Sequence, residues 1–424
     1  MKKYKIPDFR EIAKHPAVMK PLNTYAKQEY TTPLFVLRET LAGFTRHNIM
    51  GLSASLSFYA LFALIPLMLL IFFLLSHLIF SSDYALVKLA IITSNLVPDL
   101  SNKIMLEVYN TTQTKAAWGA IGLFLLLWAI TPLASAMRAS FYTISSTNQP
   151  PSFIKRKIKD VLSVLGILLL FFLFSAAGFL LETIVGFLAF HLSATQLNFV
   201  GYILTLLLTT LLITLFYRAF FPMRVAIVHL LIGAFVTALL WLMMRPAFAL
   251  FLSINQNFGA VFGSMKAIFV SITWLYLNFA VFLLGTELIA TLRKKDVLLL
   301  KGLFDNIPNK TNYIEALMRR YGKTFQQDER VVEAGSKERS LYFIVDGTIH
   351  LMQSNQIKRI LQSGEYFGEI SILSNQPATM DAIVVSNSAQ ILVIYAENID
   401  TMLLEDPNIA MQLLKHMANR IQDT

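Results

Sequence analysis

Leu52–Phe80 reads LSASLSFYALFALIPLMLLIFFLLSHLIF and contains no Asp, Glu, Lys or Arg. The hydrocarbon core of a bilayer is about 30 Å thick, and roughly 20 consecutive apolar residues cross it as a helix that bonds its own backbone. This stretch meets that requirement and sets the class of the chain. Working outward from it, the same criterion predicts six spans, at 54–79, 117–137, 161–182, 199–217, 227–248 and 268–290. Composition agrees. The 424 residues are 55% hydrophobic and 15% charged, with mean hydropathy +0.58, where soluble domains run near a quarter charged.

Charge between the spans predicts orientation. Lys2, Lys3, Lys5, Arg10, Lys14, Lys20, Lys27, Arg38 and Arg46 precede the first span. Arg138, Lys155, Arg156, Lys157 and Lys159 follow the second, Arg218 and Arg224 the fourth, and Arg293, Lys294, Lys295 and Lys301 the sixth. The alternate connections hold only Lys88, Lys103, Lys115 and Lys266. The positive-inside rule therefore expects both termini in the cytoplasm, and an even number of spans independently agrees. The net charge of +10 is then topological, and no nucleic-acid partner is expected. The absence of cysteine excludes disulfides, thiolate catalysis and Cys-ligated metals. The polar first fifty residues lack an apolar segment behind a basic start, so no cleavable signal peptide is expected.

Residues 31–48, TTPLFVLRETLAGFTRHN, place Leu34, Leu37, Leu41 and Phe44 on one helical face. The segment reads equally as an amphipathic surface helix and as a solvated lead-in to the first span. After Lys301 the composition becomes that of a soluble domain. LYFIVDGTIHLMQ (341–353) is two β-rich runs around Asp346-Gly347, a hairpin signal, and AIVVSNSAQILVIY (382–395) is a second pair around a Ser-Asn-Ser turn. Asp406-Pro407 reads as the start of a helix whose apolar positions are Ala410, Leu413, Leu414, Met417 and Ile421. The expected organisation is a cytoplasmic segment (1–50), an all-α six-helix membrane domain (51–295) and an α+β cytoplasmic domain (302–424).

The tail has GEYFGEISILSNQPATMDAIV at 364–384, with Gly335 after a turn, LYFIVDG before it and a closing helix after it. Over about 315–422 it resembles the cyclic nucleotide-binding domain, a β-roll. The resemblance implies a phosphate cassette in which a glutamate takes the ribose hydroxyl and an arginine forks onto the phosphate. Gly368, Glu369 and Pro377 match that cassette, but Ala378 stands at the arginine position, followed by Thr379 and Met380-Asp381. A charged hydrogen bond contributes about 1.5–3 kcal/mol, so its loss leaves a degenerate cassette. Two readings stay open: a domain used for assembly or another signal, and weak residual binding of a cyclic nucleotide or other small cytoplasmic ligand.

Three stretches, SASLSFYALFALIPLMLL (53–70), YRAFFPMRVAIVHLLIGAFVTALLW (217–241) and NFGAVFGSMKAIFVSITWLYLNFAVFLLGTELIA (257–290), resemble the BrkB/YihY family of bacterial inner-membrane proteins. The resemblance covers about 34–295. It implies six helices around a central cavity, a bacterial inner-membrane location and a role in export or lipid handling. Where the family often has an asparagine, this chain reads ASFYTI (139–144). No P-loop, nucleophile elbow or metal-ligand spacing is present, so no catalytic activity, cofactor or metal is expected.

Ionisable groups in a bilayer cost roughly 2.5–3.5 kcal/mol each on insertion scales and mark pathways or partners. Arg138, Arg218, Arg224, His229 and Glu287 fall near the inner side, and Glu182, Arg245 and Lys266 near the outer. Pro66, behind Ser53, Ser55, Ser57 and Tyr59, is expected to kink the first span. Pro66, Glu182, Arg218, His229 and Glu287 are therefore the candidate substrate path, read as charged vestibules suited to an anionic solute or lipid headgroup. The bland reading is snorkelling arginines and a structural Glu–Arg pair. Two functions follow: a transporter of an anionic or amphipathic solute or lipid, and a non-transporting scaffold whose tail recruits or senses a cytoplasmic partner. The bilayer is the expected partner, and a homo-oligomer is compatible with the sequence.

Overall fold

The computed structural model describes residues 32–78, 120–146, 184–187, 193–254, 265–303, 311–354, 356–406, 409–411 and 413–415, with a few isolated positions between. The chain divides into two compact units, Thr40–Arg293 and a second made of Met1–Glu39 with Lys294–Thr424.

The first unit is helical. Helix α1 (Thr32–Arg46) is followed by Asn48, whose φ of 49° turns the chain into α2 (Ile49–Leu78). Then come α3 (Ala120–Ile144), α4 (Ala194–Phe220), α5 (Ile227–Ile254) and α6 (Lys266–Leu300). Four of the described helices are long and apolar enough to cross a membrane: those at 49–70, 195–220, 227–253 and 266–303. Helix α3 overlaps the span expected at 117–137 from Ala120 on and is not among those four. The span expected at 161–182 lies largely outside the described residues. Phe62, Trp128, Phe199, Leu211 and Met243 are exposed, as side chains facing lipid are.

The core of this unit is built where helices come closest. Gly233 on α5 and Gly285 on α6 face each other, and a methyl on Gly285 would overlap the Thr237 hydroxyl. Small residues let helix backbones approach in this way inside lipid. Tyr217 of α4, fully buried, donates to the Phe282 carbonyl at 2.7 Å and meets the Thr237 hydroxyl at 3.0 Å, which ties α4, α5 and α6 together. Its ring stacks on Phe282, as does that of Trp241.

On α1, Phe35, Val36, Glu39 and Thr40 are buried, and Leu37 and Leu41 are exposed. The face that packs on protein is therefore not the one that carries Leu37 and Leu41, while Phe44 is half-buried against the core.

The tail is a β-roll of two four-stranded antiparallel sheets. One is ordered β1 (Gly322–Gln326), β8 (Ser388–Tyr395), β3 (Ser340–Asp346), β6 (Tyr366–Phe367). The other is β2 (Arg330–Val332), β7 (Asp381–Val384), β4 (Ile349–Gln353), β5 (Gln356–Leu361). Both expected hairpins are corrected here. The Asp346-Gly347 and Ser386-Asn387-Ser388 turns join strands that lie in different sheets, so they are corners of the roll. Strands β3 and β8 are buried on both faces. Leu341, Phe343, Leu392 and Ile394 face a helix-covered cluster, and Tyr342, Ile344, Ile391 and Val393 face the roll interior. That period-2 division is the strand's own geometry.

Helices α7 (Thr311–Tyr321), α8 (Glu369–Ser374) and α9 (Ala396–Glu405) complete the tail. Asp406 closes α9 through its N–H on the Met402 carbonyl, and the helical residues after it bury Ile409 and Leu413 while Leu414 is exposed. The α6 residues Leu298–Leu300, with Leu303, pack into the helix-covered cluster beside Tyr313, Leu317, Ile399 and Met402.

Candidate functional site

Helix α6 carries one carboxylate inside its apolar stretch. Glu287 lies between Thr286 and the buried Ile289 and is itself 3% exposed. Gly43 of α1 and His47, in the turn just after it, accommodate it. Gly43 and His47 are one helical turn apart and so share a face. The absent side chain of Gly43 leaves room for Glu287 Oε1, which a methyl there would overlap. The other oxygen, Oε2, lies 2.8 Å from His47 Nδ1, an imidazole N–H donating to the carboxylate. Both oxygens of Glu287 are thus held against α1.

The remaining expected path residues are distributed differently. Arg218 and Arg224 are exposed, and Glu287 pairs with His47 rather than with an arginine. His229 is half-buried on α5 with its Nδ1 buried. Pro66 lies inside α2, but the serines before it spend their hydroxyls on their own helix. Ser53, Ser55 and Ser57 donate to the carbonyls of Ile49, Gly51 and Ser53 at 2.8, 3.1 and 2.9 Å. Glu182 lies outside the described residues. Among the described residues no cluster of three or more His, Asp or Glu side chains is placed to hold a metal.

In the tail, the cassette keeps its backbone. Gly368 adopts φ 91° as the residue before α8, with its Cα hydrogen directed at the Ser340 carbonyl, where any side chain would collide. Glu369 is buried. The segment after α8 pairs with the turn at 335–336: Gly335 N–H donates to the Ala378 carbonyl at 2.7 Å and Ala378 N–H to the Ser336 carbonyl at 3.0 Å. Asp381 Oδ1 accepts from the Ala334 N–H at 2.9 Å, so its charge is engaged by backbone. Pro377 and Thr379 are exposed. Arg359 pairs with Glu365 at 3.1 Å, and Arg339 donates to Asn375 at the end of α8. Burial, reinforced by the Glu338 charge, pushes the Tyr342 phenol up to about 12.

A family model for virulence factor BrkB matches residues 40–302, more than half of the chain. The chain belongs to the BrkB family. The cyclic nucleotide-binding domain matches 322–406, so this BrkB-family protein carries that module as its tail. It is 27% identical over 264 residues to a UPF0761 membrane protein of Chromohalobacter salexigens, covering 61% of this chain and 63% of that one. It is 28% identical over 243 residues to one from Aromatoleum aromaticum, covering 57% and 59%. The matched part thus spans about three-fifths of these relatives' length. Among solved structures, the Thermus thermophilus catabolite activator protein matches at 20% identity and TM-score 0.25, covering 28% of this chain and 58% of that one. The N-terminal domain of a Streptomyces coelicolor transcriptional regulator matches at 20% identity and TM-score 0.24, covering 30% and 91%.

Sequence reasoning singled out Glu287 but missed His47 and Gly43. The signal was present as the Gly43–His47 spacing on the helix expected at 31–48, which puts both on one face. A second missed pair, Lys294 with Glu405, is also buried.

Proposed function

We propose that this BrkB-family protein is a six-span carrier in the bacterial inner membrane, both termini cytoplasmic, that moves an anionic or amphipathic solute or lipid. It has no catalytic role in this reading. Its tail senses a small cytoplasmic ligand, a cyclic nucleotide held weakly at most. The observation that carries the reading is the Glu287–His47 pair. A carboxylate on an apolar helix costs several kcal/mol unless it is paired or used. The packing of α4, α5 and α6 is already secured by Tyr217, Thr237 and the paired glycines. Glu287 is therefore surplus to the packing of those three helices, and a carboxylate–imidazole pair is suited to handing over a proton.

Proteoliposomes test this directly. Efflux of anionic amphipaths and transbilayer movement of labelled anionic phospholipid would be followed for the wild type and Glu287→Gln. A loss of about tenfold, equivalent to about 1.4 kcal/mol at the barrier, is expected. Wild-type vesicles that move neither class of substrate would remove the proposal. The second reading, a scaffold that recruits a partner, draws on the way Leu298–Leu300 and Leu303 pack into the tail's own cluster. Under that reading, deleting the tail abolishes function in cells while Glu287→Gln leaves it intact.

A further inference from the structure

Helices α5 and α6 run antiparallel. Trp241 donates to the Asn278 carbonyl, a methyl on Gly285 would overlap the Thr237 hydroxyl, and one on Gly233 would overlap Ile289. Successive contacts thus move back along α5 and forward along α6. One turn further, the connection between α4 and α5, residues 221–226, comes level with Arg293. Arg293 reaches it: Nη1 donates to the Met223 sulfur at 2.8 Å. Arg224 is the next residue, and Arg218 lies in the last turn of α4, just before the connection. Three arginines therefore gather at one end of α4, α5 and α6, and all three are exposed. Among the described residues, a thioether, which is a weak acceptor, is the only partner of Arg293, and Arg218 and Arg224 have none. No Asp or Glu occurs from Thr183 to Thr286, and the carboxylate of Glu287 is engaged at Gly43 and His47.

A single arginine beside a span is explained by snorkelling, and Arg218 by the negative end of α4. Neither reason covers the group. Arg224 precedes the positive end of α5, whose first turn holds no acidic residue, and Arg293 lies inside α6, which continues to Leu300. Like charges brought together in this way repel one another unless an anion lies between them. We propose that the α4–α5 connection, with Arg293 of α6, is a phosphate-binding site: Arg293 and Arg224 fork onto the phosphate oxygens, and Arg218 adds its charge. A planar guanidinium matches two phosphate oxygens at once, which a carbonyl or a thioether cannot use. The ligand is the phosphate of a lipid headgroup or of a soluble phosphate ester. The site deepens the carrier reading, on which its role rests, by naming the anion that is gathered beside the spans.

Native mass spectrometry of the intact chain in neutral detergent tests the site, with dioleoyl phosphatidic acid and dioleoyl phosphatidylcholine as probes. The wild type is expected to hold one phosphatidic acid about tenfold more tightly than phosphatidylcholine, and Arg293→Gln or Arg224→Gln to weaken that binding about tenfold, as loss of a charged hydrogen bond does. Lys266→Gln removes the same charge at the far end of α6 and leaves the affinity unchanged. Arg224 lies in the connection and bonds no described residue, so its variant carries the test if Arg293→Gln is not recovered folded. Equal binding of the two lipids, or equal weakening by Lys266→Gln, means attraction by net charge only and overturns the proposal. Glycerol 3-phosphate then separates the two sources of the ligand. Displacement of phosphatidic acid assigns the site to a soluble phosphate ester, and retention assigns it to a headgroup. Binding is read without transport, so vesicles that move nothing would remove the carrier reading and leave the phosphate site standing.

Discussion

Gly43 matters for what it lacks. Its bare Cα admits one oxygen of Glu287 while His47 takes the other. Gly43→Ala is expected to expel the carboxylate and lower stability by about 1–3 kcal/mol, the usual cost of overpacking. Thermal unfolding in detergent measures this, and in a Glu287→Ala background the penalty should shrink. Sequence identified Glu287 because a carboxylate in an apolar run stands out by itself. Its partner did not stand out, because it lies 240 positions away and a histidine beside a span has many ordinary explanations. At the cassette, Ala378→Arg restores the fork that a cyclic phosphate requires. Calorimetry on the full chain should show cyclic AMP affinity rising by one to two decades, the value of about 1.5–3 kcal/mol for a charged hydrogen bond. Tight binding by the unaltered protein would contradict the degenerate reading.

At the level of elements, the helices were legible and the sheet partners were not. Hydropathy is a local property and placed α2, α4, α5 and α6 from sequence alone. The Asp-Gly turn at 346–347 carries the local chemistry of a hairpin, but which sheet receives the next strand depends on residues far along the chain. The roll sends β3 to β8 and β4 to β7, and no local rule contains that choice. Helix α9 was missed for a related reason: of its apolar residues only Ile399 and Met402 are buried, too few to mark a helical face. The strands also set a pH limit. The Tyr342 phenol is pushed up to about 12 by burial, above the value of about 10 it has in an unfolded chain. The neutral form is thus favoured by folding, and that stabilisation is complete below about pH 10 and lost as pH rises toward 12. Alkaline unfolding followed by circular dichroism should have its midpoint moved upward in Tyr342→Phe.

For the molecule as a whole, composition and charge predict a division into membrane and soluble parts; the family and domain matches fall at 40–302 and 322–406. Reporter fusions at the C-terminus should be active on the cytoplasmic side, and fusions after residue 193 should report the opposite face; the reverse pattern would undo the proposed orientation. The span helices also differ in stiffness. Pro66, Pro132 and Pro246 lie inside α2, α3 and α5, whereas the 35 residues of α6 contain none. At about 1.5 Å per residue α6 is about 50 Å long, against about 30 Å of hydrocarbon. Three of the other helices therefore each lack a backbone donor at a proline, where helices bend, and α6 is an unbroken rod longer than the hydrocarbon is thick. A tilt of only a few degrees at one end of such a rod becomes an ångström-scale displacement at the other.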